Sequence, residues 1–302
     1  MSIVPDSPVS ALVAPHWRDY LELTKPKVSL LIVFTAIVGM VLASPRWIPL
    51  QALILGSIGI ALASGSAAAF NHILDQRIDA QMLRTRRRPL PTGHLQEKHA
   101  VLFAVSLAMA SMVILALGVN LLTAMLTFCS IIGYAMVYTL WLKRATPQNI
   151  VIGGAAGAAP PVLGWAAVTN SIDPHALILF LIVFTWTPPH FWALAIARRD
   201  DYAKAGIPML PVTHGVPYTR MQIVLYTILL ILTTLLPFLT RMSGLIYLGA
   251  ALILNARFLY FVLALNRGRR ADLPMRTFRF SITYLMLLFA ALIIDHYLFI
   301  PG

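Results

Sequence analysis

Charged residues are scarce in this chain of 302 residues: only 11% are Asp, Glu, Lys or Arg, whereas 59% are hydrophobic. Soluble globular domains carry about 25% charged residues, and the mean hydropathy of this chain is +0.80. The composition therefore excludes an ordinary soluble fold and predicts a polytopic membrane protein. No hydrophilic stretch is long enough to separate soluble domains, so we expect an N-terminal segment at residues 1–27 and a single membrane domain at residues 28–302.

Cysteine is almost absent, since Cys129 is the only one. A single cysteine excludes an internal disulfide, a thiolate zinc site and CxxC redox chemistry. Because Cys129 lies within an apolar stretch, we expect it to be a small buried hydrophobe. Residues 1–27 also lack the apolar stretch of a signal peptide. Within them, residues 10–24 are expected to form either a short interfacial helix or a flexible tail, and the sequence leaves both open.

Apolar stretches long enough to cross a bilayer, about 20 residues each, number about nine. They predict an all-α integral membrane protein whose transmembrane helices are arranged around a central cavity open to the cytoplasmic side. The cavity is suggested by a coarse repeat, because polar clusters follow the second and the sixth span, four helices apart. The predicted spans are 28–44, 49–70, 100–118, 121–141, 149–168, 175–197, 221–240, 244–265 and 280–300.

The net charge of +12 is distributed unevenly. If the N-terminus is cytoplasmic, nine spans place every Lys and Arg except Arg46 and Arg241 in the cytoplasmic loops or the adjoining half-spans. The positive-inside rule accounts for this asymmetry. The charge therefore predicts an orientation in the membrane and argues against a nucleic-acid partner.

Asn71, Asp75 and Asp79 recur every four residues at the end of the second span. On one continuous helix they would share a face, with their oxygens in steps of roughly 6 Å. Acids inside a membrane cost about 2.5–3.5 kcal/mol at the bilayer centre and are functional candidates by default. Mg²⁺ prefers oxygen ligands and often combines one or two carboxylates with substrate phosphates. These three residues therefore predict a metal site for a diphosphate substrate.

A second acidic pair, Asp200 and Asp201, would supply metal ligands from the opposite side if spans two and six face each other. Several basic residues are candidates for binding diphosphate oxygens, because guanidinium groups suit bidentate contacts; they are Arg84, Arg88, Lys143, Arg144 and Lys204. The alternative is that the acids only pair with neighbouring arginines, and that the basic residues only anchor the helix ends.

Aromatic residues crowd the end of span six, with Trp186 inside the span and Tyr202 beyond it. Aromatic faces can stabilise a cation by about 0.5–2 kcal/mol, but they can equally form an interfacial belt or stack on a macrocycle. His190 lies in the same cluster, where a structural hydrogen bond is a commoner role than metal ligation. The proline pairs at 160–161 and 188–189 are expected to bend or open their helices.

The segment NHILDQRIDAQMLRTRRRPLPTG (71–93) resembles the first Asp-rich motif of the UbiA-type intramembrane prenyltransferases. Within that family the chain is similar to the branch that modifies heme. Four further stretches of sequence support this similarity. These are LTKPKV (23–28), YTLWLKRATPQNIVIGGAAGAAPPVLGW (138–165), FTWTPPHFWALA (184–195) and RRDDYAKAGIPMLPV (198–212). The later spans match only in being hydrophobic.

Two positions depart from the wider family. A second acid is expected four residues after the second acidic pair, but Lys204 and Ala205 stand there. His72 stands where many relatives have Asp. These departures put a symmetrical number of metal ions in doubt, and Lys204 is a candidate for contacting the diphosphate directly.

The resemblance implies transfer of a farnesyl group from farnesyl diphosphate to the vinyl group of heme B, with addition of water, giving heme O and diphosphate. It implies Mg²⁺ as cofactor, heme B as substrate, the inner membrane as location, and the enzyme that forms heme A as a candidate partner. The candidate catalytic residues are Asp75, Asp79, Lys143, Asp200 and Tyr202. The candidate contacts to the heme are Trp186 and His190.

Two other functions stay open at this point. One is a related prenyltransferase acting on a quinone precursor, against which the motifs in spans five and six count. The other is a proton- or cation-coupled transporter with broken helices. The clustering of the acids at one membrane face argues against transport.

Overall fold

The computed structural model describes residues 16–268 and 270–298, and regular structure in these ranges is helical throughout. The first half contains α1 (Trp17–Leu23), α2 (Pro26–Ala43), α3 (Ser57–Leu74), α4 (Gln76–Gln81), α5 (Glu97–Gly118), α6 (Leu121–Ile132) and α7 (Lys143–Ala145). The second half contains α8 (Asn149–Ala158), α9 (Pro160–Thr169), α10 (Pro174–Ala197), α11 (Arg199–Lys204), α12 (Leu210–Thr213), α13 (Gly215–Leu239), α14 (Leu245–Arg267) and α15 (Leu273–Leu298). Two π-helical segments, Ala52–Gly56 and Gly133–Leu142, continue into α3 and join α6 to α7.

In the described part of the chain, nine helical segments are long and apolar enough to cross a membrane, as predicted. They are Pro26–Ala43, Ala52–Leu74, Glu97–Gly118, Leu121–Ala145, Asn149–Thr169, Pro174–Ala197, Gly215–Leu239, Leu245–Arg267 and Leu273–Leu298. The second and fourth spans extend about one turn beyond their predicted ends. Asn71, Lys143 and Arg144 therefore lie on the spans themselves and not in the loops that follow. Helix α1 (Trp17–Leu23) lies within the segment 10–24 that was expected to be a short interfacial helix or a flexible tail, and residues 10–15 lie outside the described residues.

The two proline pairs behave differently. At Pro160 the fifth span is interrupted, because α8 ends at Ala158 and α9 begins with the proline pair. At Pro188 the helix does not open, since α10 continues through both prolines from Pro174 to Ala197; a bend there stays a prediction. Neighbouring helices surround this part of α10, and both prolines are buried. Packing of this kind lets a membrane helix tolerate the loss of two amide donors.

Helices α2 and α9 cross at contact distance through two glycines. An added Cβ on Gly164 would lie 1.9 Å from the carbonyl oxygen of Ala36, and one on Gly39 would lie 2.1 Å from that of Pro161. Such distances leave no room for any side chain. The small residues near the proline pair therefore serve close backbone packing, which is the usual role of glycine between membrane helices.

The expected burial of Cys129 is wrong, because its side chain is exposed on the outer surface of α6. Phe128 and Met125 on the same helix are also more than half exposed. In a membrane protein this surface faces lipid, where a thiol is as compatible as any small apolar group. The prediction failed because an apolar stretch does not reveal which face of a membrane helix points outward.

A buried carboxylate joins α14 and α15. Asp295 of α15 is 1% exposed and accepts hydrogen bonds from the backbone amides of Gly244 and Tyr247 (3.0 Å for Tyr247) at the start of α14. Amides in the first turn of a helix have no partner within the helix. Asp295 therefore caps α14 from a different helix.

The packing of the helices brings two polar segments together. Helix α3 packs mainly against α5 and α2, whereas α10 packs mainly against α13, α8 and α15. The segments that follow α3 and α10 nevertheless share one hydrophobic cluster, in which Met82 accompanies Tyr202 and Ile207. The segments that carry the predicted substrate-binding residues therefore pack into the same hydrophobic core.

Candidate active site

The end of the second span carries three buried oxygen-bearing side chains. Asn71, Asp75 and Asp79 are 6%, 2% and 4% exposed. The Asn71 amide nitrogen donates to Asp75 Oδ2 at 2.8 Å and to Thr139 Oγ1 at 3.3 Å. Residues four apart on the chain thus lie in direct contact, as the spacing predicts.

The helix beneath these residues is not continuous, which corrects the expectation of a single helical face. Helix α3 ends at Leu74, Asp75 adopts φ −94° and ψ 2°, and α4 begins at Gln76. The Arg144 guanidinium donates to the Leu74 carbonyl oxygen at 3.2 Å, satisfying an acceptor that a helix end leaves free. The amide of Asp79 still donates to the Asp75 carbonyl at 2.8 Å. The hydrogen bond between residues four apart, as in an α-helix, is therefore kept across the break.

Each of the three side chains contacts a different cationic group. Lys25 Nζ donates to Asn71 Oδ1 at 2.5 Å, Lys143 Nζ to Asp75 Oδ2 at 2.5 Å, and the Arg88 guanidinium to Asp79 Oδ2 at 2.6 Å. Lys143 and Arg88 are themselves only 13% and 15% exposed. Ion pairs at this depth are much less screened than surface pairs. The arrangement concentrates positive charge where a diphosphate would need it.

Lys25 is a site residue that the sequence analysis did not single out. It adopts a left-handed backbone conformation (φ 48°, ψ 62°) immediately before Pro26, which is unfavourable for a side-chain-bearing residue. Such strain persists where surrounding contacts hold it, and it clusters at functional sites. Burial, together with the charges of Arg88 and Lys143, lowers the pKa of Lys25 to about 7, although the charges of Asp75 and Asp79 oppose the shift. The only earlier signal was its place in the LTKPKV stretch.

His72, beside Asn71, is a second unassigned polar group near the site. It is 2% exposed, and neither ring nitrogen has a hydrogen-bond partner among the described residues. Buried polar groups in native proteins are nearly always paired. The sequence indicated only that His72 replaces the Asp of many relatives.

The second acidic segment forms the short helix α11. Asp200 and Lys204 are exposed, whereas the side chain of Asp201 is 11% exposed and lies 4.0 Å from the Arg198 guanidinium. Tyr202 is buried. Burial raises the pKa of Tyr202, and the positive charges of Arg84 and Arg88 oppose that rise. Tyr202 therefore lies within electrostatic reach of the basic residues that follow the first motif.

Trp186 and His190 are held by α15. The Trp186 indole nitrogen donates to the Ser281 carbonyl at 2.8 Å, and His190 Nδ1 lies 2.6 Å from the Ser281 hydroxyl. The His190 ring stacks between Trp186 and Phe278, with centroids 4.2 Å and 4.5 Å away. These contacts give both side chains a role in packing α10 against α15. Contact with heme stays a prediction for both.

Mg²⁺ fits the donors of the first motif. Across residues 16–268 and 270–298, no three His, Cys, Asp or Glu side chains converge on a site made of protein groups alone. Mg²⁺ does not require one, because it commonly binds one or two carboxylates together with substrate phosphates. Asp75 Oδ1 is buried and has no hydrogen-bond partner within residues 16–268 and 270–298, so within these ranges one carboxylate oxygen of the motif is available to a metal. The oxygen donors are those of a hard divalent cation.

The structure thus defines a helical membrane protein in which a buried cluster of acids and cations lies at one end of the bundle. The model of the UbiA prenyltransferase family matches residues 32–292, and the chain belongs to this family. A protein from Hahella chejuensis named protoheme IX farnesyltransferase is 61% identical over 289 residues, which is 96% of this chain and 97% of that protein. Further relatives of the same name are 56–63% identical to this chain.

Solved structures with the same fold are more distant in sequence. A structure described as digeranylgeranylglyceryl phosphate synthase matches with a TM-score of 0.77 at 20% identity, covering 93% of this chain and 98% of that one. A UbiA homolog from Archaeoglobus fulgidus bound to DMAPP and Mg²⁺ matches with a TM-score of 0.64 at 17% identity, covering 91% and 99%. These likenesses confirm the predicted all-α membrane fold. The side of the membrane to which the cavity opens stays a prediction.

Proposed function

We propose that this protein transfers a farnesyl group from farnesyl diphosphate to the vinyl group of heme B, with addition of water, giving heme O and diphosphate. The observation that carries the proposal is the buried cluster of Asn71, Asp75 and Asp79 with three cations. The high identity to relatives named protoheme IX farnesyltransferase supports heme as the acceptor. A protein with these parts can bind a diphosphate, stabilise its departure and keep the reaction inside the membrane.

The diphosphate would bind against the cations of the first motif. Lys25, Lys143 and Arg88 already lie within 2.6 Å of its oxygen-bearing side chains, so they are placed to move from these oxygens to those of the substrate. Arg84, Arg144 and Lys204 are exposed and would contact the diphosphate from the rim. Charge fixed before the reaction costs no reorganisation during it, which makes it effective in stabilising a leaving group.

Asn71, Asp75 and Asp79 would hold Mg²⁺, and Asp200 and Asp201 would contribute from the other half of the bundle. When bound, Mg²⁺ neutralises charge that develops on the departing diphosphate. The description of the Archaeoglobus fulgidus homolog as bound to DMAPP and Mg²⁺ supports this assignment. Because Lys143 and Arg88 pair with Asp75 and Asp79, these cations would turn towards the diphosphate as the carboxylates turn towards the metal.

Departure of the diphosphate leaves an allylic cation, which the heme vinyl group attacks; water then captures the resulting cation and releases a proton, which leaves a hydroxyl group on the product. The buried rings of Tyr202 and Trp186 would stabilise positive charge on the substrate by about 0.5–2 kcal/mol each. Apolar walls would delay capture of the allylic cation by water. His190 would contact the heme only through the part of its ring that Ser281 leaves free.

We infer that the active site faces the cytoplasm of a cell with an inner membrane, and that the N-terminus lies on the same side. All Lys and Arg residues except Arg46 and Arg241 then lie on or near the cytoplasmic side, in agreement with the positive-inside rule. Heme O is an apolar product confined to the membrane. A membrane enzyme that oxidises it to heme A is therefore the expected downstream partner.

The test is a reconstitution with purified protein, heme B, farnesyl diphosphate and Mg²⁺, followed by chromatography and mass spectrometry of the pigments. The expected product is heme carrying one farnesyl group and one water, absent with EDTA and with Asp75→Asn. Folding of each sample is checked by gel filtration. If the folded wild-type protein leaves heme unchanged, the proposal is wrong, and a quinone precursor becomes the next acceptor to try. Uptake of cations by protein-containing vesicles without prenyl transfer would instead indicate a transporter.

A further inference from the structure

Arg257 is a charged residue exposed within a membrane-spanning helix. It lies ten residues before the end of α14, about 15 Å along the helix axis, and its side chain is exposed. None of the ion pairs found between described residues includes it. Its guanidinium carbon lies 5.6 Å from the ring centroid of Phe280 on α15. Ionisable residues inside a membrane are rare and usually mark a functional position.

Further arginines lie on α15 and at the adjoining ends of α14 and α15. Arg276 lies one turn before Phe280 on the same face of α15, and Arg279 is its direct neighbour; both are exposed. We call the exposed arginines of this helical hairpin the arginine patch: Arg257, Arg267, Arg270, Arg276 and Arg279. The acid beside them, Asp272, already pairs with Arg270 at 3.0 Å and with Arg276 at 2.7 Å. The patch therefore keeps a large excess of positive charge.

The depth of the patch suits the polar border of a bilayer. Phe280 lies seven residues into α15, about 10 Å from the helix end. The apolar stretch of α15 begins at Phe280, and from there to the helix end at Leu298 it is about 28 Å long, close to the hydrocarbon thickness of about 30 Å. The ring of Phe280 therefore lies near the boundary between hydrocarbon and headgroups. A long side chain can keep its stem in the hydrocarbon and its guanidinium at that boundary.

The surface around Arg257 is apolar. Ile253 lies one turn deeper on the same face of α14 and is 71% exposed, and Tyr260 lies one turn towards the helix end and is 70% exposed. Phe261 stacks on Phe280 with ring centroids 4.9 Å apart. Acyl chains would pack beside Ile253, while the aromatic rings mark the interface where such side chains are enriched. The patch therefore combines a cationic upper part with an apolar lower part.

We propose that the arginine patch binds the phosphate of an anionic phospholipid, whose acyl chains lie along α14 and α15. Arginine binds phosphate oxygens through paired N–H groups, and basic pockets between membrane helices select anionic headgroups. The Phe280 ring holds the Arg257 guanidinium in place through a cation–π contact. The site is built from α14, α15 and the segment between them, so it is separate from the candidate active site on α3, α4 and α11. The inference does not depend on the reaction proposed above.

The experiment measures lipid retention by the full-length protein. Protein from nanodiscs containing phosphatidylcholine and a minor fraction of phosphatidylglycerol is transferred to detergent, and the bound lipids are counted by native mass spectrometry. The wild type is expected to retain phosphatidylglycerol in preference to phosphatidylcholine. The Arg257→Gln/Arg279→Gln variant should lose that preference by about 25-fold, since each of the two basic contacts contributes about a fivefold factor. Arg46→Gln, an exposed arginine at the other end of the bundle, should retain it.

Three further arms make the outcome decisive. Arg279→Gln alone is used if the double variant does not fold, and its preference for phosphatidylglycerol should fall about fivefold. Phe280→Leu keeps every charge but removes the ring, and should weaken retention less than the arginine changes. Inorganic phosphate at an excess should fail to displace the lipid; full displacement would assign the patch to free phosphate and overturn the proposal. Equal retention of both lipids by the wild type, or unchanged retention in the arginine variants, would also overturn it.

Discussion

Lys143 Nζ lies 2.5 Å from Asp75 Oδ2, across 68 residues of sequence. The contact joins the end of the fourth span to the end of the second, and both groups are largely withdrawn from solvent. A buried carboxylate that loses its cation typically destabilises a protein by about 3–5 kcal/mol. This pair therefore links the stability of the fold to the residues assigned to the diphosphate.

Lys143→Met should lower the free energy of unfolding by about 3 kcal/mol, because Asp75 is left buried and unpaired. Adding Asp75→Asn to it should recover a large part of that loss. Thermal unfolding in detergent, without Mg²⁺, measures both. Lys98→Met, at an exposed lysine, is the control and should change little. Additive effects of Lys143→Met and Asp75→Asn would contradict the coupling between the two side chains.

Asp75→Asn and Asp200→Asn should each abolish detectable farnesyl transfer while the protein stays folded, because each removes a negative ligand from the proposed metal site. Initial rates with farnesyl diphosphate and heme B give the comparison. Asp173→Asn is the matched control, since Asp173 caps α10 at the other end of that helix and Asn caps helices equally well. Wild-type rates in both active-site variants would refute the assignment of the metal ligands.

Lys25→Gln should raise KM for farnesyl diphosphate by about tenfold, because one charge-assisted contact to the diphosphate is worth about 1.5–3 kcal/mol. The change keeps a hydrogen-bond donor near Asn71 but removes the charge. Lys27→Gln is a close control, since Lys27 lies two residues further on and is exposed. Steady-state kinetics at saturating heme separate the two variants. An equal effect of both would indicate a general loss of positive surface charge.

Gly164→Ala should destabilise the bundle by about 1–3 kcal/mol or more, since the new methyl group would meet the backbone oxygen of Ala36 at 1.9 Å. Backbone atoms in a helix crossing cannot turn aside as a flexible side chain can. Gly157→Ala is the control from the same run of small residues, because nothing lies within 4 Å of its added Cβ. The midpoint of thermal unfolding should fall for Gly164→Ala alone.

The nine spans could be predicted because apolar length is a property of each segment by itself. The acidic residues could be found for a similar reason, since a charge inside a membrane stands out in the sequence. The break of the helix at Asp75 could not be foreseen. It accompanies the contact between Arg144 and the Leu74 carbonyl, and the sequence does not reveal that these two helix ends meet.

Lys25 illustrates a second limit. In the sequence it is one basic residue near a helix start, where positive charge is common on the cytoplasmic side. Its importance appears only when Asn71, 46 residues later, is found against its amino group. Cys129 was expected to be buried and is exposed. The sequence could not show this, because the face of a membrane helix that points outward depends on the neighbours it packs against.

The carboxylate of Asp295 has a consequence for the order in which the chain is assembled. The amides of Gly244 and Tyr247 at the start of α14 find this partner only in the last helix, so α14 is synthesised before the carboxylate that caps it. They are satisfied once α15 has been synthesised and inserted beside it. A nascent chain halted before Asp295 would therefore hold an incomplete helical hairpin, open to membrane quality-control proteases until the ribosome adds the final turns.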